Sequence, residues 1–324
     1  MIIPLPRRAS REAGIAAALL GIAAAIHYAR AGLTLSHYDA RGHLIVARRV
    51  LDSLTPGWQQ IGAVWLPLPH LLNLLPVQVD VFYRTGASGV AISIASYAVA
   101  AGCVAWVVAR LTDSLAAARA ATAVFLLNPN LLYLQSTPMT EPLLLAFMGL
   151  SVAALLAWLD DELTAGRVGA VLSLACLTRY EAWPVVWSAL AAAVWVLWWR
   201  TEAWRTVLSR VMPVAAWPAS TILAFMVFSR VVVGRWFVSD GFFVPENKAL
   251  GLPLLAASEV WYGTHLLSGN LVLACAAVGL AVLAWRGLAD ARRRGSLLAL
   301  AFGATAALPW SAFLNGHPFR IRYM

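Results

Sequence analysis

The chain has 324 residues, 61% of them hydrophobic and 12% charged, with a formal net charge of +9. That balance is too apolar for an ordinary soluble domain of this size and points to a multi-pass membrane protein. The positive charge comes almost wholly from arginines scattered between apolar runs, with no basic patch interleaved with aromatics. It therefore fits membrane topology better than nucleic-acid binding, and nucleic acid is not an expected partner.

The first apolar segment follows a basic flank, "PRRASRE", and no convincing cleavage site comes after it, so it reads as a retained first helix. Apolar runs of about 17 to 25 residues are long enough to cross the hydrocarbon core as helices. About nine runs are found, near 13–34, 86–109, 117–134, 142–159, 167–181, 182–199, 212–232, 266–285 and 296–314. The expected fold is an all-α polytopic protein with a single transmembrane domain over residues 1–324. The fifth run is short because Arg179 and Glu181 interrupt it. Such a segment tilts, ends early, or turns its charges into a protein-lined cavity. Cys103, Cys176 and Cys275 lie inside apolar stretches at no metal-ligand spacing and read as small core residues.

Orientation follows from the arginines. Arg7, Arg8 and Arg11 precede the first span, and "RGLADARRRG" lies between the eighth and the ninth. The positive-inside rule puts both clusters in the cytoplasm, and the even number of crossings between them makes the two signals agree. The expectation is an inner or plasma membrane protein with a cytoplasmic N-terminus. Residues 35–85, 135–141, 233–265 and the tail from Asn315 then face outward.

The first external segment opens on "SHYDARGH", residues 36–43. From Asp39 to Leu54, the apolar Leu44, Ile45, Val50 and Leu51 alternate with Arg41, Arg48, Arg49 and Asp52 at a helical period. This predicts an amphipathic juxtamembrane helix with Arg41 and His43 on its polar face. The following "TPGWQQIGAVWLPLPHLLNLLP" is broken by Pro and Gly into a loop and a short apolar re-entrant or surface segment.

Few residues here carry chemistry. Asp39, at the membrane exit among Tyr38 and His43, reads either as a general base or as the N-cap of the helix it opens, and the roles can coexist. Glu141, in "NPNLLYLQSTPMTEP", sits where Thr137 or Thr140 can cap a helix and Pro142 suits a first turn. Capping competes with function there, but two carboxylates on one face can divide base and orienting roles. In "LTRYEAW", Arg179 and Glu181 are two apart and do not share a helix face, so each needs another partner. A phosphate suits Arg179; the bland alternative is a pair of interfacial residues at a helix end. The tail "NGHPFRIRYM" offers His317, Arg320 and Arg322 as a phosphate clamp or as an anchor to anionic headgroups. Tyr38, His43 and His70 are weaker candidates for substrate contact. The abrupt ending suggests later C-terminal helices beyond residue 324.

Several motifs are missing from the sequence: no Walker loop, Rossmann fingerprint, HExxH or GxSxG occurs. His37 and His43 are six apart, a poor helical metal spacing, so a divalent metal would need ligands from other loops and no cofactor is required.

Taken together, the Tyr-Asp-Ala motif after the first span, "LIVARRVLDS", "PGWQQIGAVWLPLPH", "STPMTEP" and "TRYEAW" resemble the GT-C superfamily of integral membrane glycosyltransferases. The nearest likeness is to bacterial relatives of protein O-mannosyltransferases and of lipid A aminoarabinose transferases. The resemblance implies Asp39 as catalytic base, Glu141 as the acid of the second external loop, and "FRIRYM" as the start of an Arg-Tyr motif leading into a later helix. Many members have a second acid directly after the first, where this chain has Ala40. The resemblance also implies a polyprenyl-phosphate-linked sugar as donor, a lipid, glycan or protein acceptor at the outer face, and inversion by one in-line displacement.

Two other classes compete. A lipid or sugar transporter or flippase would also carry intramembrane charges, but such proteins often show two comparable halves with matching broken helices, and none is visible here. A non-catalytic membrane assembly protein would turn Asp39 and Glu141 into lipid headgroups.

Overall fold

The computed structural model describes residues 4–201, 203–236 and 247–319, and among them all regular structure is helical. In chain order the helices are α1 (Leu5–Arg30), α2 (Tyr38–Arg49), α3 (Leu68–Asn73), α4 (Asp80–Thr85), α5 (Ala87–Thr112), α6 (Leu115–Leu126) and α7 (Pro129–Leu134). They continue as α8 (Glu141–Leu159), α9 (Ala165–Cys176), α10 (Ala182–Thr201), α11 (Trp204–Val233), α12 (Pro253–Ala289) and α13 (Ala307–Leu314). Among the described residues seven segments are long and apolar enough to cross a membrane: α1, α5, α8, α10, α11, α12 and Arg294–Leu314. The chain is thus an α-helical multi-pass membrane protein.

Two of the nine expected runs form shorter helices, for local reasons. In 117–134, the Asn128 side chain caps α7 by accepting from the Asn130 and Leu131 amides, and Pro129 opens that helix. The run is thereby divided, and α6 keeps 12 residues, a rise of about 18 Å. In 167–181, α9 also has 12 residues and ends at Cys176, before the charges of Arg179 and Glu181.

The chain divides into two compact units, Met1–Arg179 with Pro213–Phe237, and Tyr180–Met212 with Val238–Met324. In the first, α1 buries Ala9, Ala13, Ala17, Gly21 and Ala25, one small residue per turn. That stripe packs along α5, whose Tyr97, Ala101, Ala105 and Ala109 share its core. Small residues let two backbones approach closely, which drives association where lipid removes the hydrophobic effect between helices. The opposite face of α1 exposes Ile15, Leu19, Ile22 and Ile26.

Polar contacts in this unit gather at two ends. At one, Glu12 lies between Arg8 and Arg119, and Arg110 meets Asp160 and Glu162. At the other, Ser36 Oγ and Tyr133 Oη are 2.8 Å apart, and Ser93 Oγ donates to Thr137 O at 2.8 Å. In the second unit, α10 packs against the 3₁₀-type segment Ala291–Ala306, and Arg294 donates to Trp199 O and stacks over its ring. Helix α12 is interrupted at Gly269, where φ is 72° and ψ 165°.

A helix forms after the first span, with corrections to the expected one. It ends at Arg49, short of Leu54, and its buried face is Asp39, Ala40, His43, Leu44 and Ala47. His43, expected on the polar face, is turned inward, while Ile45 and Leu51 are exposed. Leu44 and Ala47 pack with Val77 from the segment before α4, and that packing decides which face is buried. Cys103 and Cys176 are buried, but Cys275 on α12 is exposed rather than a core residue.

Candidate functional site

Asp39 does not cap α2. The cap is His37, whose Nδ1 accepts from the Asp39 backbone N–H at 3.1 Å. Asp39 is instead a buried acid in the first turn, where the helix N-terminus favours negative charge. His43 lies one turn further along the same buried face.

Facing residues come from the segment before α5. His70 on α3 is 1% exposed, and its ring lies with Nε2 3.1 Å from His43 Nδ1 and Nδ1 3.1 Å from Leu66 O. Burial pushes His70 down from 6.5 to about 4, with the Leu66 carbonyl opposing only in part, so the ring is neutral at pH 7. Trp65 packs on His43 with ring centroids 4.2 Å apart. Gly42 permits this approach: a Cβ there would stand 2.8 Å from the Trp65 ring.

The third element is the entry to α8. Thr140 occupies its N-cap position, yet its side chain makes no cap bond; Oγ1 accepts from Arg179 Nη1 at 2.9 Å. The same Nη1 lies 3.2 Å from Glu141 Oε1, with both side chains about 85% buried (15% and 14% exposed). Glu141 Oε2 is buried and has no hydrogen-bond partner among the described residues. The ending of α9 at Cys176 frees the turn that carries Arg179 to this position, and Leu177 O accepts from Leu68 N at 3.0 Å, tying that turn to the start of α3.

A cavity of about 20 Å³ joins these elements, with His43, Asn73, Ser93, Met139 and Thr140 in its wall. Gly89 on α5 borders it; a Cβ there would sit 2.5 Å from Pro138 Cβ. The first unit therefore holds Asp39, Glu141 and Arg179; His43, one turn beyond Asp39 on α2, lines the same cavity as Thr140, which accepts from Arg179. Tyr38, expected as a substrate contact, is exposed and stacks on His37.

The remaining expected residues fall elsewhere. Glu181 and His317 belong to the second unit, where His317 O accepts from Asn247 Nδ2 at 3.0 Å. Arg320 and Arg322 lie outside the described residues. Among the described residues no group of three or more His, Cys, Asp or Glu is arranged to hold a metal. The sequence reading passed over Asn73, Ser93 and Glu259. The spacing of His70 and Asn73, three apart in an apolar stretch, was an available sign of a shared polar face. Glu259, alone in a long apolar helix, was a second sign; it is 7% exposed and accepts from Asn247 Nδ2 at 2.7 Å.

The fold and this cluster define a helical membrane protein with a buried ion pair and with a histidine pair between α2 and α3. No family model matches the chain, and no curated protein or solved structure matches it significantly.

Proposed function

We propose that the protein is a membrane glycosyltransferase that moves a sugar from a polyprenyl-phosphate donor to an acceptor hydroxyl at the outer face. The observation that carries this is the buried Arg179–Glu141 pair with Thr140, which shares a cavity wall with His43, one turn from Asp39 on α2. Asp39 is the base for the acceptor hydroxyl. Arg179 takes the charge that develops on the leaving phosphate, and Glu141 orients it. Arginine presents five N–H donors in a fixed fork suited to phosphate. The pairing with Glu141 and Thr140 holds that fork in place before substrate arrives, which lowers the reorganisation needed in the transition state.

The polar contacts at the two ends of the first unit support nine crossings. Arg119 at the start of α6 meets Glu12, while Tyr133 at the end of α7 meets Ser36. Helices α6 and α7 together thus carry the chain from one end to the other. Likewise α9 leads from the end marked by Asp160 and Glu162 to the Arg179–Glu141 pair. With the basic first flank in the cytoplasm, the cluster faces outward.

The test is purified protein in nanodiscs, given a panel of radiolabelled polyprenyl-phosphate sugars and candidate acceptors. One donor should lose label to acceptor. Asp39→Asn should cut that rate by about 10² to 10⁴-fold, the worth of a positioned base, while membrane insertion is kept. Full activity in the variant removes Asp39 as base, and a wild-type chain that turns over no donor sinks the reading. Cysteine labelling that finds position 293 outside overturns the orientation.

A further inference from the structure

The histidine pair has a fixed proton arrangement. Leu66 O is a carbonyl and accepts only, so His70 carries its proton on Nδ1. Because burial keeps that ring neutral, its Nε2 bears a lone pair. The atom 3.1 Å away, His43 Nδ1, must then be the donor, since two lone pairs do not face each other at that distance. With Nδ1 of His43 donating, the lone pair of its neutral ring is on Nε2.

We propose that His43 is a second proton acceptor of the transfer reaction, held in its tautomer by His70 as a positioning residue. This rests on the glycosyltransferase reading above. Asp39 and His43 are four residues apart on one buried face of α2, which places their Cβ atoms about 6 Å apart. In the transfer step the acceptor oxygen bonds to the sugar anomeric carbon, and the bond from that carbon to the phosphate oxygen breaks. Its electron pair leaves with the polyprenyl phosphate. The hydroxyl proton passes to the Asp39 carboxylate and on to His43 Nε2, the ring nitrogen that keeps its lone pair. Solvent then takes it up. No oxidant or reductant is involved.

Three further observations fit this role. Ala40 on the same face is fully buried and carries no charge, so His43 is the next ionisable group on that face. The Trp65 ring packs against His43, and an aromatic face stabilises an imidazolium. The cavity beside His43 has the volume of about one water, and Asn73 Oδ1 in its wall is buried without a partner among the described residues. A water there can donate to Asn73 Oδ1, accept the Thr140 hydroxyl proton and bond to His43. That couples the relay to Thr140, which accepts from Arg179. The charged and titratable groups around His43 are Asp39 on α2, His70 on α3 and, behind Thr140, the Glu141–Arg179 pair; α5 contributes Ser93 to the cavity wall.

The experiment is a pH titration of ¹⁵N-histidine-labelled wild-type protein in nanodiscs, paired with pH–rate profiles of wild type, His43→Gln and His70→Gln. The spectrum should show neutral His70 and neutral His43 both protonated on Nδ1, with His43 gaining its second proton at Nε2. His43→Gln should lower kcat by about 10 to 100-fold, less than loss of the primary base, and alter the acidic limb of the profile. His70→Gln should shift that limb. A neutral His43 protonated on Nε2 overturns the proposal, as does a His43→Gln profile equal to wild type. If no lipid-phosphate sugar is turned over by the wild type, the glycosyltransferase reading and the relay's part in it fall together. The ¹⁵N spectrum then decides the tautomer pair by itself.

Discussion

Glu141 in the first unit and Glu259 in the second are both largely buried, and the two are held differently. Glu141 in the first unit meets a cation, Arg179, through one carboxylate oxygen and leaves the other, Oε2, buried without a partner among the described residues. Glu259 in the second unit accepts from a neutral amide, Asn247 Nδ2, which also donates to His317 O. Asn247 further accepts from Ala249 N and donates its own N–H to Gly316 O, so it ties residues 247–249 to both α12 and the segment after α13. The second arrangement spends its polar atoms on joining pieces of chain. The first leaves one buried acceptor oxygen unmet among the described residues, which costs stability. A buried acceptor of this kind has room in its hydrogen bonding for a water, an ion or a ligand donor.

The comparison can be broken by mutation. Arg179→Ala leaves Glu141 largely buried with no cation, and breaking such a pair costs about 3–5 kcal/mol. Thermal unfolding in detergent should show the largest loss in this variant, with Glu141→Gln milder. An unfolding midpoint near wild type for Arg179→Ala would mean that the pair is solvated and holds nothing in place.

Next in size is acid sensitivity in the first unit. His70 falls from 6.5 in the unfolded chain to about 4 when folded, so between these values the unfolded state binds more protons. Stability contributed by the neutral ring is complete above pH 6.5 and is lost as pH falls through 4. At 1.36 kcal/mol per unit, the 2.5-unit span gives about 3 kcal/mol. Unfolding followed from pH 7 to pH 4 should show this loss in wild type and much less of it in His70→Gln. Equal acid sensitivity in the two proteins would assign the loss to other groups.

The smallest effects should come from the second unit. Glu259→Ala removes one partner of the Asn247 amide, which keeps His317 O, and should cost about 1–3 kcal/mol. Glu259→Gln retains an acceptor oxygen and should cost less than about 1 kcal/mol, without change in any transfer activity. If Glu259→Gln abolished activity while Glu141→Gln did not, the functional and structural roles assigned to the two acids would be exchanged.

Much of this was legible in the sequence and some was not, and single residues show why. Asn128-Pro129 lay inside a run that met the length criterion for a span, and only the cap geometry reveals that it divides α6 from α7. Thr140 was readable as a cap, but its hydroxyl is turned to Arg179, a partner 39 residues away that no local pattern announces. His43 was assigned to a polar face because its neighbours Arg41 and Arg48 are charged. Packing against Trp65 and His70 buries it.

The sequence alone determined that this is a helical membrane protein. Hydrocarbon core thickness sets the length of an apolar run, and backbone polar groups in lipid must be satisfied within a helix. It also singled out Asp39, Glu141 and Arg179, because ionisable residues near a bilayer are costly enough to stand out one by one. Only the tertiary structure decided which of them meet. The Glu141–Arg179 contact and the His43–His70 pair join residues 38 and 27 positions apart. Such contacts are fixed by where helices end and which faces pack, neither of which is written at any one position.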